Sequence, residues 1–65
     1  MTDERIKILF DKTRDAKEYY MKTKEQFGYE SEYTKPEYVR FTTLYSLIES
    51  MNLENEYYEY VYANK

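Results

Sequence analysis

Two stripes run side by side through the first 27 residues, and together they permit little besides one long helix. The first is apolar or small: Ile6, Leu9, Phe10, Thr13, Ala16, Tyr20, Thr23 and Phe27 follow one another at spacings of about three and four. The second is charged. Asp3, Lys7, Asp11, Arg14, Glu18, Lys22 and Glu25 keep the same spacing and alternate in sign without a break. Each neighbouring pair of opposite charges can add about 0.2–0.5 kcal/mol to a helix. The pattern predicts the charged stripe as the solvated back and the apolar stripe as the face turned inward. Thr2 suits the N-cap, and Asp3 and Glu4 would complement the positive end of the helix dipole. Gly28, the chain's one glycine, stands where a left-handed C′ residue would stop the helix. A helix over about 3–27 would be ~37 Å long.

Such a helix cannot bury its own stripe, so the remaining residues must return along it. Residues 28–34 are polar and of ordinary length for a connection. Thr34-Lys35-Pro36-Glu37 then reads as a capping box, in which the Thr34 hydroxyl and Glu37 carboxylate satisfy each other's backbone donors. Pro36 fits there because first-turn amides have no helical partner. Behind it Tyr38, Phe41, Leu44, Tyr45, Ile48 and Met51 hold helical spacing, with Leu47 widening the stripe. This second helix, about 35–51, is more apolar than the first and is expected to be the most buried element. Asn52 interrupts the run and suits the cap of a third helix over about 53–62. There Leu53, Tyr57, Tyr60 and Val61 share a face. The Tyr- and Val-rich run 57–62 also has the composition of a strand. A lone strand would find nothing to pair with except another copy of itself, so helix is the preferred reading.

The expected fold is all-α, one small helical domain spanning 1–65. A long N-terminal helix packs against a second helix and a short C-terminal one, as a helical hairpin plus closing helix or a three-helix bundle. A core this small supplies only ~3–5 kcal/mol, and small domains usually add a staple. Here neither Cys nor His is present, which removes disulfides and the usual metal ligands. Good packing of large side chains, or oligomerisation, must serve instead. The ten tyrosines suit either route.

The same inventory excludes most catalytic chemistry. Nucleophilic triads built on Cys or His, and His-mediated proton transfer, have no residues to use. One glycine cannot form a phosphate cradle, and no calcium-loop pattern occurs. No two carboxylates share an apolar helix face that would perturb their pKa values. The adjacent pairs Tyr19-Tyr20 and Tyr57-Tyr58 could be imagined as nucleophiles for strand transfer, but the flanks are acidic and packing explains them better. The expectation is no enzyme, no cofactor and no metal.

Charge narrows the partners. Residues 1–27 carry seven Lys/Arg against six Asp/Glu, whereas residues 28–65 carry three against seven. A helix-turn-helix outline in the C-terminal half would have a recognition helix presenting Glu54, Glu56 and Glu59, with no cation of its own before Lys65, and would repel phosphates. Helix one has a weak basic edge at Arg5, Lys12, Lys17 and Lys24, which reads as solvated surface. Nucleic acid is therefore not the expected partner, and stacking of single-stranded bases on tyrosine lacks its cationic groove. No stretch approaches the roughly 20 apolar residues of a membrane span, and the acidic N-terminus is unlike a signal peptide. A cytoplasmic protein is expected.

The surplus of tyrosine remains to be explained. Bias toward an AT-rich coding sequence would account for it blandly. The functional reading is an acid-rimmed aromatic contact surface made by Tyr29, Tyr33, Tyr57, Tyr58 and Tyr62, since Tyr offers area and a hydroxyl at small entropic cost. On that reading the chain is a non-enzymatic protein–protein interaction module, binding a protein partner or a second copy as a homodimer. The alternative is an acidic decoy that mimics nucleic acid and occupies a DNA- or RNA-binding protein.

Overall fold

The computed structural model describes residues 3–63. It contains three helices, α1 (Glu4–Phe27), α2 (Thr34–Ser50) and α3 (Glu54–Ala63), and no strand among the described residues. α1 and α2 form an antiparallel hairpin, and α3 folds back to close one end of it. The molecule measures 39 × 24 × 16 Å, its long dimension set by α1.

The first helix starts on Asp3 rather than Thr2. The Asp3 carboxylate accepts the Arg5 amide at 2.9 Å, and its charge also faces the positive end of the helix. Thr2 itself lies outside the described residues. Gly28 ends the helix as expected, but with φ 91° and ψ 162°, a positive-φ extended conformation rather than the left-handed helical one. Its amide donates to the Lys24 carbonyl at 2.8 Å.

The capping box at 34–37 does not form. Thr34 is already helical, and its fully buried hydroxyl donates to the Gly28 carbonyl at 2.7 Å. That carbonyl belongs to the unsatisfied end of α1, so the hydroxyl ties the two helices together across the connection. Ser31 takes over the cap. Its side chain accepts the Tyr33 amide at 3.1 Å, and its carbonyl accepts those of Thr34 and Lys35 at 3.1 Å each. Glu37 is left with Oε2 buried and without a hydrogen-bond partner.

Asn52 acts on the other side of its break from the one expected. It adopts φ 57° and closes α2 instead of capping α3. The Leu53 amide reaches the Ile48 carbonyl at 3.0 Å and the Asn52 amide reaches Glu49 at 3.0 Å, which together make a Schellman motif. Asn tolerates the left-handed region better than most residues with a side chain. The motif turns Leu53 inward, where it packs beside Ile48, and the Leu53 carbonyl accepts the Tyr57 amide at 2.9 Å to begin α3.

α1, not α2, is the most buried element. Phe10, Thr13, Ala16, Tyr20 and Thr23 are all buried, whereas α2 buries only Thr34 and Ile48. Each helix touches the other two, and α2 keeps Tyr38, Val39 and Leu47 exposed. Higher apolar content therefore did not predict burial. The small side chains of Thr13, Ala16 and Thr23 let α2 approach closely. The two threonine hydroxyls are satisfied by donating to Leu9 and Tyr19 carbonyls four residues back, at 2.7 Å each. Phe10, Ile48 and Tyr57 make the centre of the core, with Ile6, Leu9, Tyr45, Leu53, Tyr60 and Val61 packed around them.

Candidate functional site

The aromatic side chains are connected to one another along the molecule. Tyr60 and Tyr57 each lie 5.5 Å from Phe10, centroid to centroid, and Tyr57 lies 5.9 Å from Tyr45. Tyr45 contacts Phe41, Phe41 stacks on Tyr20 at 6.4 Å, and Tyr20 meets Tyr38, which in turn reaches Tyr29. Most of the surplus tyrosine thus forms a spine between α1 and its neighbours. Rings tilted or edge-on to one another at such distances add stabilisation beyond their buried area.

The five residues singled out from the sequence do not form one surface. Tyr29 and Tyr33 sit in the connection between α1 and α2, whereas Tyr57, Tyr58 and Tyr62 sit on α3. α3 packs beside Phe10 and Asp11, about 17 residues up α1 from the connection, or ~25 Å of helix. Tyr57 drops out of the contact surface because only 2% of it is exposed. It faces Phe10 rather than water. Tyr58 and Tyr62 remain exposed, at 41% and 66%.

What α3 does create is a groove of about 780 Å³ along its contact with α1. One wall is Tyr58, Val61 and Tyr62, with Tyr57 at the floor. The other is Arg14, Asp15, Lys17, Glu18, Met21 and Lys22. The charged stripe of α1 is therefore not simply a solvated back, since α3 docks along its edge. The Tyr60 hydroxyl donates to Asp11 at 2.7 Å, and the same carboxylate oxygen meets Arg14 at 3.3 Å. Arg14 also reaches Asp15 at 3.8 Å, so its charge is largely matched within α1. Lys17 and Lys22 make the groove wall more cationic than the acid-rimmed surface expected. The sequence signal for Met21 was weak, because it is an isolated apolar residue on the outer side of α1 whose role depends on where α3 lands, whereas Val61 was expected on the apolar face of the third helix.

Four phenols of the spine are pushed above their usual range. Tyr45 and Tyr58 share a hydrogen bond of 2.9 Å, and that bond, then burial, pushes the Tyr45 phenol up to about 12. Tyr60 is also raised, first by its hydrogen bond to Asp11 and then by burial. Burial raises Tyr57 and Tyr20 as well, with neighbouring tyrosines adding to both. Among the described residues, no three carboxylates gather where they could hold a metal ion. No helix among them is long and apolar enough to cross a membrane. No known protein family, curated protein or solved structure matches the chain.

Proposed function

We propose that the chain is a non-enzymatic protein–protein interaction module that docks a partner protein, or a second copy of itself, in the groove between α1 and α3. The observation that carries this reading is the open groove with Tyr58, Tyr62 and the exposed Met21 along its walls. Pairs of helices commonly receive an amphipathic segment in such a groove, with aromatic residues as anchors. The fully buried centre of the core is only three side chains, while exposed large apolar side chains occur on every helix. Burial against another chain would give those side chains a role that the isolated fold does not.

Light scattering after size exclusion, over a wide concentration range, is the first measurement. A mass rising to twice the 8.1 kDa of one chain, and staying single in the Tyr58→Ala/Tyr62→Ala variant, identifies the groove as a homodimer contact. A concentration-independent monomer turns the search to other proteins, with capture by the wild type and loss of capture by the same variant expected. Capture undiminished in the variant would overturn the reading. A salt series separates the decoy alternative. An aromatic contact changes little with ionic strength, whereas an acidic mimic of nucleic acid weakens steeply.

A further inference from the structure

The end of the hairpin away from α3 holds a second depression, of about 400 Å³, lined by Tyr20, Tyr29, Glu30, Lys35, Tyr38 and Val39. That volume is in the range of small-ligand sites. Its wall is aromatic. The Tyr38 centroid lies 5.3 Å from that of buried Tyr20 with the rings inclined by 52°, and Tyr29 lies 6.4 Å from Tyr38 with an inclination of 51°. Rings set at such angles do not stack. They curve into a concave surface.

The face of an aromatic ring carries partial negative charge, so a concave wall of rings attracts a cation. The molecule already places one against two of these rings. Lys24 Nζ lies 6.0 Å from the Tyr20 centroid and 5.7 Å from that of Tyr29. Lys24 belongs to the last turn of α1, whose carbonyl end also favours positive charge. Glu30 and Lys35, both in the lining, are opposite in sign and add no net charge, while Lys24, beside the lining, competes for the faces of Tyr20 and Tyr29. It is exposed and makes no ion pair among the described residues, which leaves its long stem able to swing into water.

We propose that Tyr20, Tyr29 and Tyr38 form a binding site for a methylated or quaternary ammonium group, with Lys24 as an internal competitor for the faces of Tyr20 and Tyr29. A primary ammonium is strongly hydrated and gives up much by leaving water. Methyl groups on nitrogen remove N–H donors, weaken hydration and add apolar surface that the rings can cover, while the positive charge remains. A methylated ammonium therefore outcompetes the lysine for the same wall. The site stands apart from the α1–α3 groove and does not depend on how that groove is used.

The test is a titration of the full chain, followed by NMR of the tyrosine rings, with three probes. These are tetramethylammonium chloride, a short peptide bearing trimethyllysine, and the same peptide with unmodified lysine. Shifts confined to Tyr20, Tyr29 and Tyr38 with the first two probes are expected. Tighter binding of the peptide than of tetramethylammonium identifies a modified protein as the source of the cation, and equal binding identifies a small quaternary amine. Lys24→Gln should tighten both by about two- to fivefold, the equivalent of one exposed cation–π contact removed from competition. Tyr29→Ala, in the connection, should abolish them with the helical signal intact. Equal shifts at Tyr58 and Tyr62, equal binding of the unmodified peptide, or an unchanged affinity in Lys24→Gln would each overturn the proposal.

Discussion

The two ends of the α1–α2 hairpin carry aromatic contacts of similar closeness but differ in what surrounds them. At one end Phe10 meets Tyr57 and Tyr60 at 5.5 Å and is fully buried. At the other, Phe27 and Tyr33 approach to 4.8 Å, yet they remain 49% and 68% exposed. Ring contact is thus not burial. Two helices bury Tyr20, Thr23 and Thr34 between them, but Phe27 and Tyr33 lie outside that seam, and α3, only 10 residues long, packs at the other end. It covers one end and leaves the other aromatic and open.

Truncation at the two ends should break this symmetry of appearance most sharply. Phe10→Ala is expected to cost about 3–5 kcal/mol, close to all that a core of this size supplies, and to abolish cooperative unfolding followed by circular dichroism. Phe27→Ala should cost less than about 1 kcal/mol in a urea titration, because most of its surface is already in water. Equal costs would mean that the exposed end is as much a part of the core as the covered one.

Alkaline pH should act mainly at the covered end and along the spine. Tyr45, Tyr57, Tyr60 and Tyr20 have folded-state phenols raised above the ordinary value of 10. Folding therefore favours their neutral forms, and the stability this provides is complete below pH 10. It is lost as pH rises through the folded values, about 12 for Tyr45. Melting temperature should fall across that window, and tyrosinate absorbance should show these rings ionising late. A titration in which all tyrosines ionise together near pH 10 with no loss of helix would contradict the spine.

Gly28 offers a test confined to the open end. A Cβ there would meet nothing within 4 Å, so Gly28→Ala isolates the backbone cost of φ 91°. A loss of about 1–3 kcal/mol is expected from conformation alone, read as a lower urea midpoint. Smaller than that should be Tyr60→Phe, which removes the hydroxyl bonded to Asp11 and leaves the ring against Phe10. It should cost about 0.5–1.5 kcal/mol, measured the same way. A larger loss would indicate that the Tyr60–Asp11–Arg14 contact, rather than ring packing, holds α3 in place.

The buried face of α1 was legible from Phe10 to Thr23, because a long run at helical spacing averages over local accidents, while Phe27 at its end is exposed. Both helix ends that went wrong involve polar side chains with two available backbone partners. Thr34 could accept from its own helix or donate to Gly28, and Asn52 could cap the helix ahead or close the one behind. Local pattern does not rank such choices. The candidate surface failed similarly at Tyr57, since a helix with tyrosine on most of its circumference does not announce which one faces inward.

Sequence alone determined that the chain is helical, where its three helices lie to within one residue or so, and which stripe of α1 is buried. Those properties follow from spacing along the chain, which a helix converts directly into faces. Tertiary structure decided that α1 buries more residues than α2, that Tyr57 is core while Tyr58 and Tyr62 line a groove, and that Tyr20, Tyr29 and Tyr38 line one depression. Those depend on the angle and position at which α3 and the connection close on the hairpin. That placement is set by the sum of many weak packing contacts between residues far apart in the chain, and no local spacing records it.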